Sequence, residues 1–424
     1  MNLTKDTNAQ PNAPELQNNA PSAHVYGKWA AAIAIVLVAS MIPCVAILKN
    51  GMLTPAHGNT NDTTTSAAGI WGQLEYTPIV ISPPVEFICD PSEEYYSQDV
   101  VWRFPQPDTF SLSALFKAIN VSDPLRDKLL SMAAPDKATG GMSIYPSKQF
   151  VLNMCPEDRS ALYIALRDAG TKVNQQAWFL FPGSSPDQWF SEAGISQETR
   201  KLIDPLIHRR GKFMYFSDLR TIGRLPSRIE RLNLYKALLR DLTFLAHLKI
   251  SPNSDIDALV KYWGRGGRDH EVRPILEAMK RKGGEQQINI THLLPPLARR
   301  ALYTYPGRSD TDMAKRRRDC HWTALNFFNE TPSDVFCKNG SLPRELKANY
   351  YRIGGNLRLG DLIMVVEPQG RVIHSAVYIA DDILFHRCGS NSSAPWSLVR
   401  RKHLKSYYPS HKKLTIRYYR HNSM

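Results

Sequence analysis

Twenty consecutive residues, Trp29 to Leu48 (WAAAIAIVLVASMIPCVAIL), carry no charge. As a helix rising about 1.5 Å per residue, such a run covers about 30 Å, the thickness of a bilayer's hydrocarbon core. Lys28 and Trp29 at one end and Lys49 at the other suit the two membrane interfaces. A cleaved signal peptide is the competing reading. Against it stand the long polar lead, the length of the apolar run and the lack of a small-x-small site after it. The expectation is a polar cytoplasmic tail over 1–28 and a single-pass transmembrane anchor over 29–48. A Thr-, Asn- and Gly-rich flexible linker would follow over 49–80, with the bulk of the chain extracytoplasmic, periplasmic or on the cell surface.

Charge and cysteine content bear on that placement. Lys and Arg outnumber Asp and Glu by 53 to 39, giving +14. The excess favours acidic partners such as an acidic wall polymer or anionic lipid, and equally fits a plain basic surface. No recognisable nucleic-acid motif accompanies it, so no specific nucleic-acid partner is expected. Of the six cysteines, Cys44 lies in the apolar run. Setting Cys320 aside as a nucleophile leaves Cys89, Cys155, Cys337 and Cys388. They could form two disulfides, for example Cys89–Cys155 and Cys337–Cys388, or remain buried thiols.

The middle of the chain carries an internal period. Arg-x-x-Leu-Tyr occurs at Arg159–Tyr163, Arg231–Tyr235 and Arg299–Tyr303, at spacings of 72 and 68 residues. A proline precedes each copy, and a Val-Ser or Ile-Ser that could cap a helix lies upstream at Ser122, Ser196 and Ser251. With amphipathic segments between the copies, residues 81–295 read as an α-rich region of three related helical units, Leu-Tyr in the core and Arg at the surface. After Tyr303 the texture changes to a short helix and then the strand-like runs DLIMVVE, RVIHSAVYIA, ILFHRCG and LTIRYY, an antiparallel meander over 296–424. The fold class is therefore α+β, with helix first and sheet after.

Residue types capable of nucleophilic catalysis gather in this last third. Asp319 is a good N-cap for a helix opening at Cys320, where unpaired backbone N–H groups favour a thiolate. Arg316, Arg317 and Arg318 add positive potential. His374 and His386 fall on successive strands. With an odd-length turn, residue 376 pairs with 386, and the two imidazoles share a face as diagonal neighbours about 7–8 Å apart at the backbone. A thiol, an imidazole base and a group orienting that base are what cysteine acyl transfer requires. His321, beside the nucleophile, reads as a solvent-facing helix residue. No metal-ligand cluster is visible, and no cofactor is expected.

The ordered set Asp319-Cys320, Gly360-Asp361-Leu362-Ile363, His374-Ser375-Ala376-Val377-Tyr378-Ile379 and His386 resembles the papain-like cell-wall peptidases of the NlpC type, over about 295–424. The resemblance implies a papain-like domain whose nucleophile helix packs on an antiparallel sheet. It implies Cys320 as nucleophile, His374 as general base and His386 as the residue orienting it. It also implies a supporting tyrosine upstream, Tyr305 or alternatively Tyr303, and an oxyanion met by backbone N–H groups at the helix start. The implied reaction is cleavage of an amide, foremost in peptidoglycan stem peptides or another envelope polymer. Where the family has Ser-Gly after Asp-Cys, this chain has His321-Trp322, which changes the pocket. Two other functions stay open: a non-catalytic binding or scaffold protein with a degenerate papain-like domain, and a lipid acyl hydrolase or transferase.

Overall fold

The segment expected to be a linker ends in a strand. After the two-residue β1 (Thr64–Thr65), the nine residues QLEYTPIVI form β2 (Gln73–Ile81). Leu74 and Tyr76 alternate inward there, and the strand pairs antiparallel with residues 241–250 along its whole length. Alternation over its first four residues, with a partner strand along all nine, makes a strand of this stretch. The computed structural model describes residues 63–424 apart from 89–94, 97, 171–177, 183–184, 224, 226, 307–317 and 390–393.

The Arg-x-x-Leu-Tyr period marks strand–helix–helix–strand units, so the α-rich reading of 81–295 is corrected. In the first unit β3 (Trp102–Phe104) leads into helices Thr109–Ala118 and Asp123–Ser131. Strands β4 (Ala133–Asp136) and β5 (Gly141–Ile144) follow, then helices Lys148–Asn153 and Pro156–Asp168. The second unit repeats this order: β6 (Phe179–Pro182), helices Pro186–Phe190 and Gln197–Ile203, β7 (His208–Arg210), β8 (Phe213–Phe216), and helices Leu219–Ile222 and Arg228–Leu238. The sheets match as well, in orders β3-β5-β4 and β6-β8-β7. The third unit keeps a β9 (Asp241–Ile250), helices Ile256–Trp263 and Asp269–Lys282, a β10 (Gln286–Asn289) and helix Pro296–Ala301. Its strands join a sheet of order β1-β2-β9-β10. Short strands such as FLF and HRR are too brief to show a two-residue period, which is why the helices dominate the sequence pattern.

The repeated arginine is a clamp, buried in the first two units and at the surface in the third. Arg159 is fully buried and donates to the Met154 and Pro205 carbonyls at 3.3 and 2.7 Å. Arg231 is buried and donates to the Leu225 carbonyl at 2.7 Å, and Arg299 donates to the Leu294 carbonyl at 3.2 Å. In each unit the guanidinium ties down the turn that enters its own helix. Ser122 and Ser196 are held by the acid just before the arginine. Asp158 accepts from the Ser122 N–H at 3.0 Å and Glu230 from the Ser196 N–H at 2.7 Å.

The C-terminal part follows Cys320–Leu325 and Ser341–Asn349, both helical, with β11 (Tyr350–Ile353), β12 (Leu362–Val366), β13 (Val372–Ala380), β14 (Ile383–Arg387), β15 (Trp396–Arg400) and β16 (Thr415–His421). All neighbours are antiparallel in the order β11-β16-β12-β13-β14-β15, so the expected meander is present, with β16 inserted at its edge. The central strands are buried on both faces. One face (Leu362, Met364, Val377, Ile379, Phe385) packs against Trp322, Ala324 and Leu325 of the Cys320 helix. The other (Ile363, Val365, Ala376, Tyr378, Leu384) packs against Leu404 and Tyr408, from the 3-10 turn Arg401–Tyr407 and the residue after it. The first of these cores also takes in Leu74, Ala246, Trp263 and Leu293, so position 296 is no boundary between cores.

Three further expectations are corrected. Among the described residues no helix is long and apolar enough to cross a membrane. The 1–28 tail and the Trp29–Leu48 segment lie outside the described residues. The single-pass anchor and the extracytoplasmic placement built on it are therefore withdrawn. Cys155, Cys337 and Cys388 are free thiols, so neither suggested disulfide forms. Cys337 lies beside Asp334, whereas Cys388 lies beside the Tyr408 hydroxyl, in different surroundings.

Candidate active site

Asp319 caps the Cys320–Leu325 helix as the sequence predicts, its carboxylate accepting from the His321 and Trp322 N–H groups at 2.8 and 2.9 Å. That cap occupies two of the backbone donors expected to meet an oxyanion. Of the arginine run, Arg318 is described, and it pairs with Asp334 at 3.0 Å and stacks over Trp322 instead of facing the thiol. Cys320 is 4 % exposed. Burial, then the neighbouring Asp319 charge, push its thiol up to about 12, against a pull downward from the Ser375 N–H. In this state the sulfur is a protonated thiol at neutral pH.

The parity of the two imidazoles is as expected, by a different route. The turn between β13 and β14 has two residues, Asp381 and Asp382, with Asp381 in the left-handed region (φ 52°). That alone would place the histidines on opposite faces. An irregularity between Tyr378 and Ala380 inserts the extra residue, so Val377 pairs with Phe385 and the register restores a shared face. His386 Nδ1 lies 3.3 Å from His374 Nε2. His374 Nδ1 lies 2.7 Å from the Tyr408 hydroxyl, and the two rings stack at 4.7 Å. The three groups form one chain in which the protons can run either way: Tyr408 O–H to His374 Nδ1 and His374 Nε2–H to His386 Nδ1, or the reverse with Tyr408 O–H turned to the Cys388 sulfur. Burial holds both imidazoles down, His386 to about 4, and each is neutral at pH 7.

The face they share is not the face on which the body of the nucleophile helix packs. Ser375, next to His374 and therefore on the opposite side of the strand, is the residue that meets the helix, its hydroxyl 2.8 Å from His321 Nδ1. His321 is thus half-buried and bonded to the sheet, not solvent-facing. Among the described residues no hydrogen bond joins Cys320 to His374. Burial first of all pushes the Tyr408 hydroxyl well above its ordinary range, and the Cys388 sulfur lies 3.7 Å from it. Tyr408 therefore joins the Cys388 sulfur to the His374 Nδ1 nitrogen.

Neither predicted supporting tyrosine belongs to this group. Tyr305 donates to the Ile81 and Leu239 carbonyls at 3.2 and 3.3 Å, and Tyr303 donates to the Phe244 carbonyl. Both tie the chain before the nucleophile helix to β2 and β9. The Gly-Asp pair is structural too. A Cβ at Gly360, whose φ is +93°, would lie 2.1 Å from the Phe328 ring, and Asp361 takes two bonds from Arg420 at 2.8 and 2.7 Å, fastening β16 to β12. Trp322 lies in the core, donating to Asp334. Among the described residues no group of three His, Cys, Asp or Glu is arranged to hold a metal ion. Tyr408, Ser375 and Cys388 were missed in the sequence. The alternation that places His374 would have placed Ser375 on the helix side, but nothing local marks Tyr408. Comparison of the chain with protein-family models, curated proteins and solved structures finds no match.

Proposed function

We propose that the chain is a papain-like cysteine hydrolase of an amide bond, in a closed state in which Tyr408 holds the base. The observation that carries this reading is the contact of His386 Nδ1 with His374 Nε2 at 3.3 Å, two imidazoles in register on the sheet whose other face carries the helix that begins at Cys320; in this reading Nε2 faces His386 and Nδ1 is the basic nitrogen. In such a hydrolase His386 fixes the tautomer, His374 Nδ1 accepts the Cys320 proton, and the thiolate attacks the carbonyl carbon. The imidazolium then returns its proton to the leaving amine. Two movements are needed first. Tyr408 must release Nδ1, and the thiol must turn toward it; either would relieve the burial that keeps the sulfur protonated. The substrate class is an amide of peptidoglycan stem peptides, on the resemblance of the Asp-Cys, Gly-Asp-Leu and His-x-apolar-x-Tyr elements, with His321 and Trp322 reshaping the pocket.

The buried, protonated sulfur favours a second reading, a non-catalytic binding domain. Incubating the full chain with purified sacculi and mass-analysing the released fragments separates the two. The hydrolase reading expects new peptide ends whose rate of appearance falls by about a thousandfold or more in Cys320→Ala and in His374→Ala. Binding to sacculi without release, unchanged by either substitution, would leave the domain non-catalytic.

A further inference from the structure

A cavity of about 660 Å³ opens where the β7–β8 hairpin, β9, β15 and the Arg401–Tyr407 turn meet. Its volume lies in the range of small-molecule sites. The floor is apolar: Phe213, Leu242, Phe244, Val399 and Tyr407. Phe213 and Tyr407 pack ring to ring at 6.2 Å, so the floor is built from three separate parts of the fold. The rim is Arg209, Lys212, Arg400, Lys402 and His403, and among the described residues no carboxylate lines the cavity. Arg400 is already engaged, bonded to Asp381 at 3.4 Å and lying over the Phe244 ring at 5.0 Å. Lys212 and Lys402 are exposed at the mouth.

The two halves of this cavity select for opposite properties in one ligand. An oily floor gains nothing from a small hydrated anion, which would have to shed water against it. A ring of cations gains nothing from a neutral apolar molecule. Lysines carry their charge outward over an apolar stem, so Lys212 and Lys402 can meet an anionic head at the mouth while the body of the ligand reaches the aromatic floor. We propose that this cavity binds an amphipathic anion: one carboxylate or phosphate head on an acyl or aromatic body. The site does not include Cys320, His374 or Tyr408, and its occupation does not depend on the hydrolase reading.

Titration calorimetry of the full chain with octyl phosphate, octanoate, inorganic phosphate and octanol tests it. Saturable one-to-one binding of octyl phosphate or octanoate is expected, with inorganic phosphate and octanol each at least about tenfold weaker. The stronger of the two amphiphiles identifies the head group. Lys212→Glu with Lys402→Glu should weaken binding at least about tenfold, whereas Lys128→Glu with Lys137→Glu, an equal charge change away from the cavity, should alter it less than about twofold. Cys320→Ala should bind as the natural chain does, so failure here and failure of the hydrolase reading are separate results. Absence of saturable binding, inorganic phosphate or octanol binding as well as the amphiphiles, or equal effects of the two lysine pairs would each overturn the proposal.

Discussion

Arg159, Tyr163, His208 and Asp218 in the repeat units are as deeply buried as His374, His386 and Tyr408 in the C-terminal sheet, yet the two clusters are held differently. In the first, a guanidinium is anchored to backbone carbonyls and faces a carboxylate at 4.0 Å, and that carboxylate accepts from Tyr163 and Thr221. Charge is met by opposite charge and by fixed backbone dipoles, as a structural cluster requires. In the second, every polar contact of the two imidazoles is to another side chain that can itself give or take a proton. Such a chain does little to hold elements together and can change partners by rotation. The comparison separates buried polar groups fixed by charge and backbone from those bonded only to one another.

The sharpest way to break that distinction is to remove the clamp. Arg159→Leu leaves Asp218 buried opposite an apolar group and frees two carbonyls, so unfolding in urea should show a loss of about 3–5 kcal/mol. The rate of Cys320 alkylation in the native state should stay unchanged. A stability loss below about 1 kcal/mol would remove Arg159 from its structural role.

Acid titration should distinguish the clusters by sign. Burial holds His386 at about 4 and lowers His374, against an ordinary imidazole near 6.5. The unfolded chain takes up these protons first. The stability the two provide is therefore complete above pH 6.5 and lost as pH falls toward 4, about 3 kcal/mol for His386. In the other cluster His208, also held at about 4, acts in the same direction, but Asp218 is pushed up to about 6 and acts oppositely. Its unfavourable ionisation develops as pH rises from 3.8 to 6, so the two largely offset. The difference in unfolding free energy between pH 4.5 and 7, from urea titrations, should therefore shrink in His386→Gln. It should change by no more than about 1 kcal/mol in His208→Phe with Asp218→Asn. Equal behaviour of the two variants would erase the contrast.

Releasing the base is a smaller change. Tyr408→Phe removes the hydroxyl on His374 Nδ1, and peptide-resolved iodoacetamide labelling of Cys320 at pH 7 should quicken by about tenfold, at a stability cost of about 1 kcal/mol. No change in labelling would mean that Tyr408 does not hold the base. Smallest of all, Glu230→Ala removes the acceptor for the Ser196 and Thr199 bonds and should cost about 1 kcal/mol, with Asp158→Ala matching it in the first unit. A clear difference between the two would undo the equivalence of those units.

Local chemistry in the chain determined several features without help from the fold. Asp319 before an apolar helical pattern is a cap in any context, and two-residue alternation puts Ser375 and His374 on opposite sides of their strand. The Arg-x-x-Leu-Tyr period marked real units because each must end in a helix whose entry turn is clamped. The strands inside those units stayed hidden because three or four residues cannot display a period, and pairing partners arrive from elsewhere. Only the tertiary structure decided which face of the sheet receives the Cys320 helix, and that Tyr408, 34 residues after His374, comes to rest on its ring. A strand's pattern fixes which residues share a side, but what is laid against that side depends on chain crossings that no local spacing records. That is why the sequence shows a helix-start cysteine and two strand imidazoles, while the phenol that rests on His374 is set by packing alone.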